Sequence, residues 1–184
     1  AAQIGAEVEV WRNDDPRFDV DEWWVPFDGI LISKAIVDGT GGAGQAKYTQ
    51  AQKRRILRDG VRAFFRTEEH RWGPLTFMGD CGAFTYVKAE EPPYSVDDVI
   101  EFYEKCGFDY GISVDHVILE YRPQWDTDLL SGGDHGVPAA IRKRQELTLQ
   151  LASEFYKTVQ RNKLRFTPVG VIQGWSPKSY AHAA

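Results

Sequence analysis

Three apolar runs in the sequence stop at a side chain that can exchange hydrogen bonds. Leu75-Thr76-Phe77-Met78-Gly79 runs into Asp80, Gly111-Ile112-Ser113-Val114 into Asp115, and Gly170-Val171-Ile172 into Gln173. Short apolar runs of this kind read as buried strands, and parallel α/β folds bind ligands at the carboxyl ends of their strands. Three such strands would aim two carboxylates and one amide into a single mouth. A turn-capping role accounts for each polar residue taken singly. Recurrence over three strands raises a shared site beside it.

Carboxylates accept hydrogen bonds, whereas a glutamine amide both donates and accepts. The Watson–Crick edge of guanine presents N–H donors at N1 and N2 beside the O6 acceptor. Asp80 and Asp115 suit the donors, and Gln173 can donate to the carbonyl. Phe84, four residues after Asp80, offers a stacking face, worth about 1–3 kcal/mol per base. Gly82 and Ala83 are small enough for a flat ligand to approach the backbone. The same trio also suits a sugar or a metal ion, so residue types alone leave the ligand open.

The elements that must position these groups alternate along the chain. The apolar, β-branched segment 28–37 predicts a first strand, and 47–67 a helix on the spacing of Ile56, Leu57, Val61, Phe64 and Phe65, weakened at Gly60. A strand over 75–79 follows. Ser95 opens a helix with Asp98 in the capping-box position, and Gly107 closes it. The apolar face of that helix is Val96, Val99, Ile100 and Tyr103. Then come a strand over 108–114, a polar loop over 124–136, a long helix over 138–162, a strand over 166–173 and a helix opened by Ser176. This alternation predicts an α/β fold with a parallel sheet, in a domain over 28–184 preceded by an acidic segment, 1–27.

Composition sets the outer limits. The 184 residues are 42% hydrophobic and 27% charged, which excludes collagen-like, low-complexity and wholly disordered classes. No apolar run reaches the roughly 18–20 residues of a membrane span, and residues 1–10 do not resemble a signal peptide. Cys81 and Cys106 lack the number and spacing of a disulfide framework or metal site, so a cytoplasmic location is expected. The one methionine is Met78, so the sequence reads as processed, trimmed or excerpted. Residues 1–22 hold seven acids against two arginines, which accounts for the whole formal charge of −5. In the neutral remainder, cations bunch at Lys53, Arg54, Arg55, Arg58, Arg62 and Arg66, and again at Arg142, Lys143 and Arg144. Either bunch can contact phosphates; on charge alone, solvated helix faces are the better reading.

Other chemistry-bearing residues receive plainer roles. Cys81 reads as a pocket wall, since no basic partner is identifiable to activate it. The pairs Asp115-His116 and Asp134-His135 lack ligand spacing for a metal. Trp11, Trp23 and Trp24 read as core or interface, and Lys34 as a surface lysine. The glycine run 39–44 has no following Gly-Lys-Ser/Thr, so it is not a phosphate-binding loop.

Taken together, Gly79-Asp80-Cys81-Gly82-Ala83-Phe84, Ser113-Val114-Asp115 and Pro168-Val169-Gly170-Val171-Ile172-Gln173-Gly174 resemble the tRNA-guanine transglycosylase family. The segment 90–116, with Gly174-Trp175-Ser176-Pro177, is closer to its DNA-modifying branch, the DpdA-type enzymes of 7-deazaguanine DNA modification. The resemblance implies a (β/α)8 TIM-type barrel, of which this chain holds the first half or so. It also implies exchange of guanine in nucleic acid, DNA favoured over tRNA, for a 7-deazaguanine. Asp80, Asp115, Gln173 and Gly174 would bind the base, Phe84 would stack on it, and Asp80 would also act catalytically by moving a proton. Cys81 and Ala83 stand where the tRNA branch usually has Ser and Gly, which favours DNA. The family's nucleophilic aspartate and its zinc ligands would lie beyond these residues, so zinc is expected in the full-length protein with no ligand in this chain. On that reading the 184 residues hold base recognition without the group that attacks the sugar. The expected partners are nucleic acid and a deazapurine base, with no membrane and a homo-oligomer left open. Two other readings compete: a non-catalytic subunit that binds nucleic acid, and an unrelated barrel enzyme acting on small molecules.

Overall fold

The computed structural model describes residues 28–39, 47–67, 75–128 and 136–184. The acidic segment 1–27 with its three tryptophans, most of the glycine run and the Asp134-His135 pair lie outside the described residues. Four parallel strands form one sheet in sequential order: β1 (Gly29–Ser33), β2 (Thr76–Asp80), β3 (Tyr110–Ile112) and β4 (Thr167–Val169). The helices are α1 (Lys34–Asp38), α2 (Gln50–Phe65), α3 (Val96–Cys106), α4 (Gln124–Asp128), α5 (Ala139–Asn162) and α6 (Pro177–Ala183). A 3₁₀ turn, Ala83–Tyr86, follows β2.

The helix boundaries follow local chemistry. Thr49, Ser95 and Ser176 each cap a helix through a reciprocal capping box, and Gly107 closes α3 in the left-handed region. The predicted face of α3 is buried, with Phe102 and Cys106 added to it.

Several expected boundaries are corrected. The first strand stops at Ser33, not near Val37, because Lys34–Asp38 turns into a short helix closed by left-handed Gly39. That turn is held by the Ala35 N–H donating to the Cys81 carbonyl at 3.2 Å. Gly60 breaks α2 outright with φ 83° and ψ 169°, and a Cβ there would lie 3.1 Å from the Cys106 carbonyl oxygen. Strands β3 and β4 are shorter than their apolar runs. Past the ladder, Val171 N–H donates to the Ser113 hydroxyl at 3.1 Å, so a side chain replaces backbone pairing there. The expected polar loop over 124–136 begins with α4, where Asp126 accepts from the Trp175 indole at 3.0 Å.

The core centres on Tyr103, which is fully buried among Phe108, Phe155 and Phe166. Its ring lies over Gly79 and Gly111, which are register partners on β2 and β3. A Cβ at either glycine would come within 2.3 and 2.5 Å of the ring, respectively. A smaller cluster of Ile118, Val137 and Trp175 lies beneath the loops that follow β3 and β4.

Candidate base-binding site

Two of the polar residues that follow the strands, Asp115 and Gln173, are in direct contact. Asp115, 5% exposed, accepts from the Gln173 side-chain amide at 2.7 Å and from the Cys81 thiol at 3.3 Å. Gln173 is fixed at its other end, where its Oε1 accepts the Ile118 N–H at 3.1 Å. An amide nitrogen carries two hydrogens, so one N–H of Gln173 is left over after Asp115 is served. Asp80 stands at the end of β2, in register with Ser33 on β1.

Burial pushes the carboxyl of Asp80 upward from its usual range, and the nearby charge of Asp115 pushes it further. Backbone N–H groups of Gly82 and Cys81 and the Ser33 hydroxyl partly offset that rise. The Ser33 hydroxyl is buried on β1 in register with Asp80. Asp115 is also raised, by burial first, with the Cys81 and Gln173 donors opposing. Two buried carboxyls both pushed upward, one by the charge of the other, are a combination that recurs at functional sites.

The neighbouring residues have clear positions. Tyr86 donates to both the Cys81 sulfur and the Asp115 carbonyl at 3.1 Å. The Cys81 thiol is fully buried and pushed up to about 12, so it acts as a wall and a donor, not a nucleophile. Phe84 sits on the 3₁₀ turn with 73% of its surface exposed, an aromatic face free of core packing. Gly174 has a packing reason for its small size: a Cβ there would meet the Ser179 hydroxyl at 2.7 Å. Gly82 has another, with φ 92° and a would-be Cβ only 2.4 Å from the Ser33 hydroxyl.

Most of the bunched cations are committed to acids or carbonyls. Lys53 pairs with Asp38, Arg55 and Arg58 with Asp59, and Arg62 with Asp109. Lys143 pairs with Glu91, while Arg144 donates to the carbonyls of Val117 and Val87. Lys34 pairs with Asp38 and lies over the Tyr94 ring.

His116 is buried, with Nε2 2.9 Å from the Ala89 carbonyl. Among the described residues no three His, Cys, Asp or Glu side chains gather to hold a metal.

Sequence reading missed Ser33, Tyr86 and, on α5, Gln145 and Thr148. Ser33 was hidden because the apolar run reads through it. Gln145 and Thr148 carry a readable signal: both are buried and polar, on the helix stripe that also carries Ile141 and Phe155.

The fold is a parallel α/β sheet with two acids and an amide just past the ends of successive strands. No protein-family model matches the chain. It is 46% identical over 169 residues to a protein of Salmonella montevideo named DNA-guanine transglycosylase. The match takes in 92% of this chain and 38% of that protein, so the chain spans little more than a third of its relative's length. Over nearly its whole length the chain is thus similar to part of a guanine transglycosylase.

Proposed function

We propose that the full-length protein exchanges guanine in DNA for a 7-deazaguanine, and that this chain supplies its base-recognition pocket. The observation that carries the reading is the Asp115–Gln173 pair beside Asp80, a set of acceptors with one spare donor. The relative's name favours DNA over tRNA, as do Cys81 and Ala83 in the segment that follows β2. Four parallel strands in sequential order fit the first half of a (β/α)8 barrel.

The target guanine leaves the base stack and enters the pocket. Phe84 stacks on it, Asp80 and Asp115 accept its N1 and N2 hydrogens, and Gln173 donates to O6. A carboxylate from outside these 184 residues attacks C1′, forming a C1′–O ester bond as the bond to N9 breaks. Asp80, whose carboxyl is pushed upward by burial and by the charge of Asp115, exchanges protons with the purine as it turns over: the departing guanine gains one proton and the incoming deazapurine gives one up. Attack by the deprotonated N9 then restores the nucleoside and frees the carboxylate. No helix among the described residues is long and apolar enough to cross a membrane, and both cysteines are buried and unpaired, which suits action on nucleic acid in the cytoplasm.

The test is exchange of labelled guanine into a DNA duplex and into tRNA by the full-length protein. Label in DNA that disappears in Asp115→Asn supports the reading. Label in neither polymer overturns it, and label in tRNA alone overturns the choice of DNA.

A further inference from the structure

We infer that Arg144, Gln145 and Thr148, on one face of α5, are positioning residues that hold the three pocket loops in register. The inference rests on reading that pocket as base-binding. It starts from a shortage of backbone partners. The ladder ends at Ile112 on β3 and Val169 on β4, so the segments that carry Asp115 and Gln173 have left the sheet. Their N–H and C=O groups still need partners once buried.

One helix supplies them. Arg144 donates to the Val87 carbonyl at 2.8 Å and the Val117 carbonyl at 2.9 Å, tying the loop after β2 to the loop after β3. Thr148 accepts the His116 N–H at 3.0 Å. Gln145, 5% exposed, donates from one nitrogen to the Gln173 carbonyl at 2.9 Å and the Ser179 carbonyl at 3.0 Å.

The placement is specific to the pocket. Val87 follows Tyr86, His116 follows Asp115, and the third clamp grips Gln173 itself. Three anchors therefore lie on or next to Tyr86, Asp115 and Gln173, a fourth, Val117, adjoins Ile118, whose N–H holds Gln173, and the Ser179 carbonyl ties the same helix to α6. The positions 144, 145 and 148 share one helix face, so a rigid element sets all three loops at once. Exposed Arg142, two residues earlier on the same helix, lies outside this trio.

The consequence is geometric and electrostatic. If Gln145 no longer holds the Gln173 backbone, the Gln173 amide moves relative to Asp115, and Asp115 loses a donor that favours its ionised form. Asp115 must be ionised to accept from the base, so the acid limb of exchange moves to higher pH.

The experiment uses the full-length protein with Gln145→Glu, which keeps size but replaces the donor, and Thr148→Val, which keeps shape but removes the acceptor. Thr148→Ser is the conservative rescue and Arg142→Met the surface control. Two readouts are taken: hydrogen exchange at the Ile118 amide, which donates to the Gln173 side chain, and the pH profile with kcat and KM for labelled guanine. Expected are at least tenfold faster exchange at Ile118, roughly 100-fold lower kcat/KM and an acid limb shifted upward in both main variants. Thr148→Ser and Arg142→Met should match the wild type. Unchanged Ile118 exchange with an unchanged pH profile overturns the inference. A wild type that exchanges no guanine overturns the base-exchange reading instead, while Ile118 still decides positioning. Should Gln145→Glu fail to fold, the Thr148 pair carries the decision.

Discussion

The side-chain nitrogen of Gln173 and the carboxylate of Asp115 meet at 2.7 Å across 58 residues of sequence. The orientation of the Gln173 amide is fixed by chemistry, because its Oε1 accepts the Ile118 N–H and only the nitrogen can then face Asp115. One N–H of Gln173 and the remaining lone pairs of Asp115 stand side by side. On the proposed function, that pairing would complement the O6 and N1–H of guanine and oppose the N6–H₂ and N1 of adenine, so this contact would set base choice.

Gln173→Glu therefore tests base choice directly. The Ile118 bond survives, but a second acceptor now faces Asp115, and no donor is left for O6. Exchange of labelled guanine by the full-length protein should fall by roughly 10²–10³-fold, the range for losing a directed donor in a buried site. Circular dichroism should be unchanged. Retained exchange would remove Gln173 from base recognition.

The raised carboxyls make stability depend on pH in a stated direction. Asp80 and Asp115 bind protons more tightly folded than unfolded, so stability is greatest below their ordinary 3.8 and declines as pH climbs through the raised values. Asp80→Asn removes the charge that burial and Asp115 oppose. At pH 7 its Tm should rise by a few degrees, the range that ~1 kcal/mol produces in a domain of this size. The gain should shrink toward zero near pH 3. A Tm difference of the same size at both pH values would show that the effect is packing and not charge.

Both thiols should resist alkylation while the protein is folded. Cys81 and Cys106 are buried, and each is pushed up to about 12, chiefly by desolvation. Thiolate is the reactive form, so iodoacetamide at pH 8 should label neither within an hour, and both should react in denaturant. Mass spectrometry reads the modified peptides. Rapid native labelling of Cys81 would mean that the pocket wall opens.

The strand ends were legible: Asp80, Asp115 and Gln173 each close an apolar run, and two of them, Asp115 and Gln173, are in direct contact. Helix α3 was equally clear because its cap, its face and Gly107 agree. What stayed hidden depends on contacts between distant segments. Ser33 sits inside an apolar run whose backbone turns helical only because Gly39 and the Cys81 carbonyl permit it. Arg144 reads as one cation among three, and nothing local says that two distant carbonyls will claim it. The early end of β3 and β4 was hidden too, because β-branched residues continue past the point where Ser113 takes over the pairing.

The last prediction concerns the floor of the site. Gly79 precedes Asp80, and its missing side chain is the space that the Tyr103 ring occupies, with a would-be Cβ 2.3 Å from a ring carbon. Gly79→Ala must displace either the ring or the strand. Tyr103 is fully buried among aromatic neighbours and donates to the Ile112 carbonyl at 2.9 Å, so it resists moving. The substitution should cost about 2–3 kcal/mol, read from urea unfolding, and should carry Asp80 out of line with a matching loss of guanine exchange. Tyr103→Phe loses only the hydroxyl bond, about 1 kcal/mol, and leaves the clash in place. Tyr103→Ala empties the space, so Gly79→Ala introduced into that background should add less than ~1 kcal/mol. A double-mutant cycle measures this coupling. Additive costs would mean that the ring and the glycine are not in contact, and Tyr103 would no longer explain why β2 carries glycine immediately before its aspartate.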